Sequence, residues 1–530
     1  MTTTAATVQP PTPAPMTHRQ VLEALSGLLL AMFVGMLSST VVTNALPTIV
    51  TDLDGSQTGY TWVVVATLLT MTASTPLWGK LADLFSKKLL VQTALVIYSV
   101  GSVIAAFAPS MSVLIGARAV QGLGVGGVMA LVQVVIATMV SPRERGRYSG
   151  YIGATFALAT VSGPLLGGLI VDSPLGWRGC FFVGLPVAVL AFVVLQRTLH
   201  LPVVARRGHR QVSIDYLGAT LIVAGVSVLL VWVSLAGQQF AWVSATTAVL
   251  VSVGLTVIAA ALYVEAWVAE DPVIPLRIFR DRTTSLATAA SVMVGLAMFG
   301  STVYLSQYFQ LARGLSPTEA GLMSIPQVGG LLVASIVSGR IISDTGLWKR
   351  WLVGGMVVVV VGFALLARID ATTDLWIVAA CMTLVGLGLG TTMQNLVLAV
   401  QNNTPLQDMG AASSVVAFFR SMGGSIGVSA LGAILAHQVA GSVRVGLDRL
   451  GVTPDDHQSG AIPDLDRLPA PLRALYEGAF GEAVGHLFLV AVPFAVIALV
   501  CVLFIKESPL RTTLALDLEP QPAPAEPVAR

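Results

Sequence analysis

The feature that most constrains this chain is a series of apolar segments of about twenty residues, recurring from Leu25 to Ile505. A helix of ~20 residues, rising about 1.5 Å per residue, crosses a hydrocarbon core about 30 Å thick. Because backbone groups inside a bilayer have to bond to one another, each segment is expected to be helical. The composition agrees, with 55% hydrophobic and only 11% charged residues. The sequence therefore predicts an all-α polytopic membrane protein.

Hydropathy predicts about fourteen membrane-spanning helices. They are expected at residues 25–48, 60–79, 89–108, 112–139, 150–171, 179–196, 215–235, 245–266, 285–311, 319–342, 351–367, 375–400, 410–437 and 484–505. The Lys and Arg residues cluster in the loops on one side, at positions 80–88, 143–147, 206–210, 277–282, 349–350 and 506–511. An even number of spans places both termini on that same side. By the positive-inside rule this side is cytoplasmic.

Three glycine-containing segments recur at nearly equal offsets. Residues 79–83 pair with 339–343 and residues 163–167 with 423–427, both 260 apart, while 122–126 pairs with 386–390, 264 apart. Chance recurrence among 51 glycines is the alternative, and the equal offsets argue against it. The repeat predicts two parallel six-helix bundles, a class in which the substrate binds between the repeats.

These boundaries give a simple domain plan. The N-terminal bundle is expected at 23–200, a linker with two extra membrane helices at 201–282, and the C-terminal bundle at 283–507. A long extracytoplasmic loop is expected at 438–483, with a short amphipathic helix near 472–480. Residues 1–22 and 508–530 are rich in Thr, Ala, Pro or Glu and are expected to be disordered and cytoplasmic.

Other function classes find little support in the sequence. The three cysteines lie in apolar stretches, and no phosphate-binding GxxxxGK[ST] loop occurs. No nucleophile–base pair or metal-ligand cluster indicates an enzyme. We therefore expect no cofactor, no metal and no nucleic-acid partner; the expected partners are the lipid bilayer, a small-molecule substrate and protons.

The loop after the second span reads GKLADLFSKK at residues 79–88. This sequence resembles the motif G-x-L-A-D-[RK]-x-G-[RK]-[RK] of the major facilitator superfamily. The resemblance implies a conformational latch formed by Gly79, Asp83, Lys87 and Lys88. The motif departs from the family at positions 84 and 86, where Leu and Ser replace a base and Gly. A plain positively charged loop is the alternative.

A second motif resembles the antiporter motif of exporters in this superfamily, GxxxGPxxGG. Residues 159–168 read ATVSGPLLGG, with Ala159 at the first Gly position. A proline bends a helix and glycines let a neighbouring helix pack closely. Through Gly163, Pro164, Gly167 and Gly168 the resemblance implies export, whereas ordinary glycine packing is the alternative.

Further segments are similar to the fourteen-helix drug:H⁺ antiporters of the same superfamily. These segments are LSSTVVTNALP at 37–47, PVIPLRIF at 272–279 and FRSMGG at 419–424. The resemblance covers essentially the whole chain between its two tails. It implies a major facilitator fold with two inserted helices, hence a multidrug efflux permease of the bacterial cytoplasmic membrane.

The charges inside the spans are cationic. Arg118 lies in a segment, 114–122, that resembles a fourth-helix motif linked to proton coupling, and Arg420 lies in the thirteenth span. Such an Arg normally faces a cavity or a partner, although snorkelling to the interface is the alternative. Ser38 stands where the family has an Asp, and no carboxylate lies at the centre of any span. A neutral, anionic or amphipathic substrate fits this pattern better than a strongly cationic one.

Polar residues on the helices that line the cavity in this superfamily are candidate substrate contacts. They are Ser38, Thr40, Thr43, Asn44, Tyr304, Gln307, Gln327, Gln394 and Asn395. Gln394 and Gln401 lie two turns apart on one face of the twelfth span. For each residue, hydrogen bonding between helices is an equal alternative.

The sequence therefore predicts a proton-driven, alternating-access exporter of amphipathic small molecules or drugs. Two alternatives remain open at this point. The first is an exporter of one endogenous lipid, peptide or metabolite, and the second is a membrane sensor that transports nothing.

Overall fold

A computed structural model describes residues 18–54, 57–171, 173–199, 215–237, 239–269, 272–405, 408–450 and 469–511 of the chain. Within these ranges a few side chains, including those of Thr43, Asn44 and Pro164, lie outside the description. The described chain contains 14 helices that are long and apolar enough to cross a membrane. The predicted number of spans and the all-α fold class are confirmed.

Six spans form the N-terminal half. They are α1 (His18–Asp52), α2 (Gln57–Leu84), α3 (Lys87–Ala106), α4 (Met111–Met139), α5 (Pro142–Val171) and α6 (Gly184–Thr198). Two short helical segments, Gly176–Arg178 and Gly179–Phe182, precede α6. The buried apolar side chains of this half form two clusters of their own.

Two inserted helices follow, α7 (Tyr216–Leu235) and α8 (Ala245–Tyr263), the latter continued by a π-helical turn at Val264–Val268. They pack on each other, and α7 also contacts α2 and the thirteenth span. Ile222 and Val226 of α7 share a buried cluster with Ala73 of α2 and Phe418. The insertion therefore lies along the line where the two halves meet.

Six further spans form the C-terminal half, whose buried side chains make one large core. They are α9 (Arg282–Gln307), α10 (Ile325–Thr345), α11 (Lys349–Leu366), α12 (Leu375–Asn403), α13 (Met409–Leu450) and α14 (Ala470–Phe504). A π-helical turn, Tyr308–Ala312, and a short helix, Pro317–Leu322, connect α9 to α10.

The glycines of the predicted repeat make equivalent contacts in both halves. In α4, a methyl group at Gly124 would lie 2.5 Å from the backbone nitrogen of Tyr98 in α3. In α12, one at Gly388 would lie 2.6 Å from the carbonyl oxygen of Gly355 in α11. Between apolar helices in lipid, such small residues allow the close packing that holds the bundle together.

The prediction of a long loop at 438–483 is wrong for most of that range. Helix α13 continues to Leu450 and α14 begins at Ala470, so the short helix predicted near 472–480 is the first part of α14. Val443 of α13 and Phe480 of α14 are buried in the C-terminal core. This packing stabilises both segments as helices. Residues 451–468 lie outside the described part.

The predicted disordered tails are also shorter on their inner sides. Helix α1 begins at His18, so residues 18–22 are helical, while 1–17 lie outside the description. At the other end, residues 508–511 are ordered, because Ser508 and Arg511 bond to Asn402. Residues 512–530 lie outside the description.

Candidate functional site at the interface between the halves

The two halves meet closely at the end of the bundle that carries Lys87, Arg143 and Lys349, which we call the basic face. Helices α2, α4, α10 and α12 end there, and α3, α5, α11 and α13 begin there. The ends of α-helices leave backbone N–H and C=O groups without partners inside the helix. The site is built from these free helix ends and the charged side chains that reach them.

Asp83, at the end of α2, binds the beginning of α13 in the other half. Its carboxylate oxygens accept hydrogen bonds from the backbone N–H groups of Gly410, at 2.8 Å, and Ala411, at 2.9 Å. A carboxylate is favourable there because the N-terminus of a helix carries partial positive charge. Asp83 therefore links the two halves directly, which is the geometry required of the predicted latch.

The other residues of the predicted latch act differently. Gly79 allows α2 to approach α13, since a methyl group there would lie 2.7 Å from the carbonyl oxygen of Gly410. Lys88 donates to the carbonyl oxygen of Gln196 in α6 of its own half, at 2.7 Å. Lys87 lies at the start of α3, half-buried. Within the described part of the chain, Asp83 is therefore the latch residue whose side chain forms hydrogen bonds to the C-terminal half.

A second crossing joins α5 and α10 at the same face. Gly146 and Gly339 face each other so closely that a methyl group on either would collide with the other's carbonyl oxygen. Beside them, Arg143 donates to the carbonyl oxygens of Ser343 and Asp344 at 3.1 and 2.8 Å. A guanidinium is favourable at a helix C-terminus, whose free carbonyls carry partial negative charge.

A third contact is buried between these two crossings. Arg145 donates to the carbonyl oxygens of Val140 and Ala137 in its own half and, at 2.8 Å, to Oε1 of Gln401 in α12. Gln401 in turn donates to Oγ of Ser413 in α13, also at 2.8 Å. This chain of bonds connects α5 with two helices of the other half.

One of the candidate cavity residues also forms a hydrogen bond to the other half. Gln394 of α12 accepts a hydrogen bond at 3.1 Å from Nε2 of Gln133 in α4. Gln133 and Gln394 lie on the equivalent helices α4 and α12, but their separation of 261 residues differs from the 264-residue offset that relates these helices, so they are not equivalent positions. The bond therefore joins the two equivalent helices across the interface.

The last described residues of the chain also lie on this face. In residues 505–511, which we call the C-terminal strap, Ser508 and Pro509 accept hydrogen bonds from Nδ2 of Asn402 at 3.1 Å. The carbonyl oxygen of Arg511 accepts a bond from the backbone N–H of Arg143, at 3.2 Å. The strap therefore lies mainly on the C-terminal half and touches the N-terminal half at Arg143.

The antiporter-like motif in α5 packs mainly inside its own half. Gly163 faces Thr40 of α1, whose hydroxyl also lies 3.4 Å from the carbonyl oxygen of Ala159. Gly168 approaches the C-terminal half, with 3.8 Å between a methyl group placed there and Oγ1 of Thr318. Gly167 is buried, and the side chain of Pro164 lies outside the description.

Arg118 lies in a buried polar network of the N-terminal half. Its guanidinium donates to Oε1 of Gln121 at 2.9 Å and to the carbonyl oxygen of Val63 at 3.4 Å. Gln121 donates onward to Ser102 at 2.7 Å. Ser38 is buried beside Tyr98, which also borders this network. In the described structure Arg118 is held by neutral groups.

Arg420 contrasts with Arg118. It lies in α13, where its backbone carbonyl packs against Gly295 of α9. Its Nη1 atom is enclosed and has no hydrogen-bond partner within the described part of the chain. The structure therefore does not bring the two arginines into one network, and it leaves a donor of Arg420 unused.

Most other cavity candidates bond within one half. Gln327 donates to Ser301 at 2.8 Å, Asn395 donates to its own helix at Thr391, and the Tyr304 hydroxyl donates to the carbonyl oxygen of Val428. Gln307 ends α9, half-buried. Thr40 bonds to backbone carbonyls, and the side chains of Thr43 and Asn44 lie outside the description. In this conformation Tyr304, Gln327 and Asn395 therefore form hydrogen bonds between or within helices, which is the alternative to contacting a substrate.

Sequence reasoning missed the contributions of Arg143, Arg145, Gly146 and Gly339 to the interface. Arg143 and Arg145 had a signal, because they are charged residues in the first turn of a span. Neither residue, however, was distinguishable from a positively charged loop without knowing which helix faces it.

Comparison with known proteins identifies the family. The family model for the Major Facilitator Superfamily matches residues 28–428. The chain is 33% identical to the multidrug transporter protein MdtP of Bacillus subtilis over 446 residues, 84% of this chain and 78% of the relative. It is 32% identical to efflux pump dotC of Dothistroma septosporum over 499 residues, 92% of this chain and 84% of the relative.

Solved structures agree at the level of the fold. The proton:xylose symporter XylE superposes with a TM-score of 0.60 at 12% identity, covering 93% of this chain and 97% of that chain. The human organic anion transporter MFSD10 superposes with a TM-score of 0.57 at 13% identity, covering 92% and 100%. The protein is thus a multi-pass membrane transporter rather than an enzyme, and it belongs to the Major Facilitator Superfamily.

Proposed function

We propose that this transporter is a proton-gradient-driven exporter, an antiporter, of amphipathic small molecules or drugs. It would operate in a bacterial cytoplasmic membrane with both termini, and therefore the basic face, in the cytoplasm. The placement of basic residues along the whole chain supports this orientation.

The observation that carries the proposal is the way the basic face is closed. Asp83 and Arg143 bind helix ends of the opposite half through bonds to backbone groups, and water can replace these bonds when the halves separate. A closure of this kind is suited to alternating access, in which two parallel repeats rock about a central site. Relatives that are named a multidrug transporter and an efflux pump support export as the direction.

The proton gradient supplies enough energy for export. Each elementary charge moved across 100 mV releases about 2.3 kcal/mol. Since 1.4 kcal/mol corresponds to about a tenfold ratio, one proton moved through ~150 mV supports a gradient of a few hundredfold.

The fixed charges favour a particular type of cargo. Arg420 has an enclosed Nη1 donor that finds no partner among the described residues, and Ser38 occupies the position where a carboxylate would attract cations. A buried donor without a partner is costly, and a polar or anionic group of a cargo would satisfy it. We therefore assign the polar head of an amphipathic, neutral or anionic cargo to the neighbourhood of Arg420.

Arg118 would contribute to coupling without carrying the proton itself. A guanidinium does not release its proton at physiological pH. Arg118 would instead maintain a positive potential that tunes a more peripheral proton-binding carboxylate or the cargo. Its buried bonds to Gln121 and the carbonyl of Val63 would hold that charge in place.

A flux assay in proteoliposomes tests the function. With a proton gradient imposed, a panel of neutral, anionic and cationic amphiphiles should include compounds that dissipate the gradient, as reported by a pH-sensitive dye. Arg118→Ala should abolish this coupled flux, Arg118→Lys should retain part of it, and Ser38→Asp should shift preference toward cationic compounds. Cargo movement without proton flux, or full coupling in Arg118→Ala, would refute the antiport mechanism.

Cysteine labelling tests the orientation separately. Cysteines introduced at Gly55 and Gly237 should react with an impermeant reagent outside intact cells, and one at Gly208 should not. The reverse pattern would place the basic face outside.

A further inference from the structure

An open groove lies between α10 and α11 on the outside of the described helices, with α12 as its floor. Its cavity measures about 660 Å³ and is lined by apolar side chains and glycines, with Thr345, Thr391 and Arg350 as its polar residues. On α10 the lining residues follow one face at Val333, Val337, Ile341 and Thr345. Val333 and Val337 are 55% and 43% exposed, so the described chain does not cover the groove.

Glycines keep the α11 side of the groove open. A methyl group placed at Gly354 would meet nothing within 4 Å, so this position opens into empty space. Gly355 lets α11 pack onto α12, since a methyl group there would lie 2.9 Å from the carbonyl oxygen of Gly388. The groove extends from Arg350 to Val358 along α11, roughly 12 Å at 1.5 Å per residue. That length is close to one leaflet, about half of a ~30 Å hydrocarbon core.

The charge at the mouth of the groove is available for a ligand. Arg350 lies in the first turn of α11, is exposed and forms no hydrogen bond or ion pair with the other described residues. Its neighbour Lys349, by contrast, is engaged: its backbone N–H donates to Glu507 at 3.1 Å, and its Nζ donates to the carbonyl oxygen of Leu503 at 3.0 Å. Trp351, beside Arg350 in the groove, is the type of residue enriched at membrane interfaces.

From this juxtaposition we propose that the α10–α11 groove binds an anionic phospholipid, with one acyl chain along the groove and the phosphate on Arg350. The apolar walls match a hydrocarbon chain, and the single charge at one end matches a negatively charged head group. Basic pockets between membrane helices commonly bind such head groups, and a basic residue near an anionic lipid surface contributes about 1 kcal/mol. The site is independent of the cargo and of proton coupling.

The floor of the groove connects it to the interface between the halves. Thr391 of α12 lines the groove, and Gln394 lies one turn further along the same helix, where it bonds to Gln133 of the other half. A lipid in the groove would therefore pack against the helix that carries part of this interface.

Native mass spectrometry of the delipidated full chain in detergent tests the site. Phosphatidylglycerol should bind about fivefold more tightly than phosphatidylcholine with the same acyl chains, a difference of about 1 kcal/mol. Arg350→Gln should remove this preference. Arg340→Gln, an exposed cation on α10 outside the groove lining, should keep it. Gly354→Phe should weaken binding of both lipids by filling the groove, since a side chain at this position starts in open space.

Several outcomes would overturn the proposal. An unchanged preference in Arg350→Gln, or an equal loss in Arg340→Gln, would mean diffuse attraction to the basic face. Full competition by inorganic phosphate would mean a free-phosphate site, and dimer formation blocked by Gly354→Phe would mean a contact between copies. Equal binding of both lipids to the unmodified chain would mean a groove that does not select charge.

Discussion

The ends of α2 and α10 occupy equivalent places in the two halves but have different chemistry. Gly79 and Gly339 are 260 residues apart, and each lies where its helix closely approaches a helix of the other half. Four residues after each glycine the halves differ, because Asp83 accepts two bonds from α13, whereas Ser343 offers its carbonyl oxygen to Arg143. The repeat therefore preserves the glycine at the close contact between the halves, but it does not preserve the charged residue four positions later.

The difference teaches which half supplies which part of the closure. Asp83 and Arg143 both belong to the N-terminal half, and both bind backbone groups of the C-terminal half. The carboxylate binds a helix N-terminus and the guanidinium a helix C-terminus, so each charge meets the favourable end of a helix dipole. These two contacts therefore depend on N-terminal side chains and on intact helix ends in the C-terminal half.

The largest effect should come from a methyl group at a glycine crossing. Gly339→Ala would collide with the carbonyl of Gly146, and overpacking of this kind costs about 1–3 kcal/mol. We expect at least a tenfold loss of transport by protein that still reaches the membrane. Gly329→Ala, on the same helix and facing open space, is the matched control and should transport normally. Normal transport in Gly339→Ala would mean that the crossing is not needed.

The comparison itself is tested by paired substitutions at the two equivalent positions. Asp83→Asn weakens two bonds to a charged group, each kind worth about 1.5–3 kcal/mol, so the closed state should lose at least about tenfold in population. Ser343→Ala keeps the carbonyl that accepts from Arg143 and should change the population less than twofold. Electron–electron distance measurements between spin labels at the exposed positions Phe85 and Leu347 would report the closed population in each variant. Equal effects of the two substitutions would show that the halves are equivalent after all.

Arg143 should have a smaller effect, because its guanidinium is partly exposed. Arg143→Gln removes the two bonds to the end of α10, for an expected cost of about 1 kcal/mol, or roughly fivefold in the closed population. The same distance measurement applies. Arg147→Gln, an exposed arginine one turn away, is the control and should leave the distances unchanged. A matching shift in both variants would indicate a general effect of positive charge.

The smallest effect should come from the C-terminal strap, since its bonds are mostly within one half. Ending the chain after Lys506 removes the bonds to Asn402 and the single bond to Arg143. We expect lower thermal stability and a change in the closed population of about threefold or less, below ~0.7 kcal/mol. Ending the chain after Arg511 keeps the strap and serves as the control. A larger shift would make the strap part of the latch.

The sequence predicted the architecture well because membrane helices have strong signals. Fourteen apolar spans and the major facilitator fold are confirmed, and the glycines of the repeat make matching contacts in the two halves. The loop at 438–483 was wrong because α13 and α14 continue as helices stabilised by mutual packing, as at Gly446 against Leu475. Hydropathy detects the length that spans a bilayer and is insensitive to helix beyond it.

The site was less predictable, for a physical reason. Asp83 was identified by its motif, but its partner is a pair of backbone N–H groups, which have no sequence signature. Arg143 and Arg145 looked like ordinary loop charges because their partners, the end of α10 and Gln401, lie about 200 and 256 residues away. Which helices face one another is a property of the assembled halves and not of local pattern.

The central claim, that the basic face must open and close during transport, is tested most directly by a reversible cross-link. Gly153 in α5 faces Ser335 in α10, and a methyl group at Gly153 would lie 3.1 Å from Cβ of Ser335. This is slightly closer than the ~3.5–4.5 Å that a disulfide spans, so a small separation of the two helices accommodates the bond. In the double variant Gly153→Cys with Ser335→Cys, oxidation should cross-link the halves and stop transport, and a reductant should restore it. The single variants should be insensitive to oxidation. Undiminished transport by fully cross-linked protein would contradict the account.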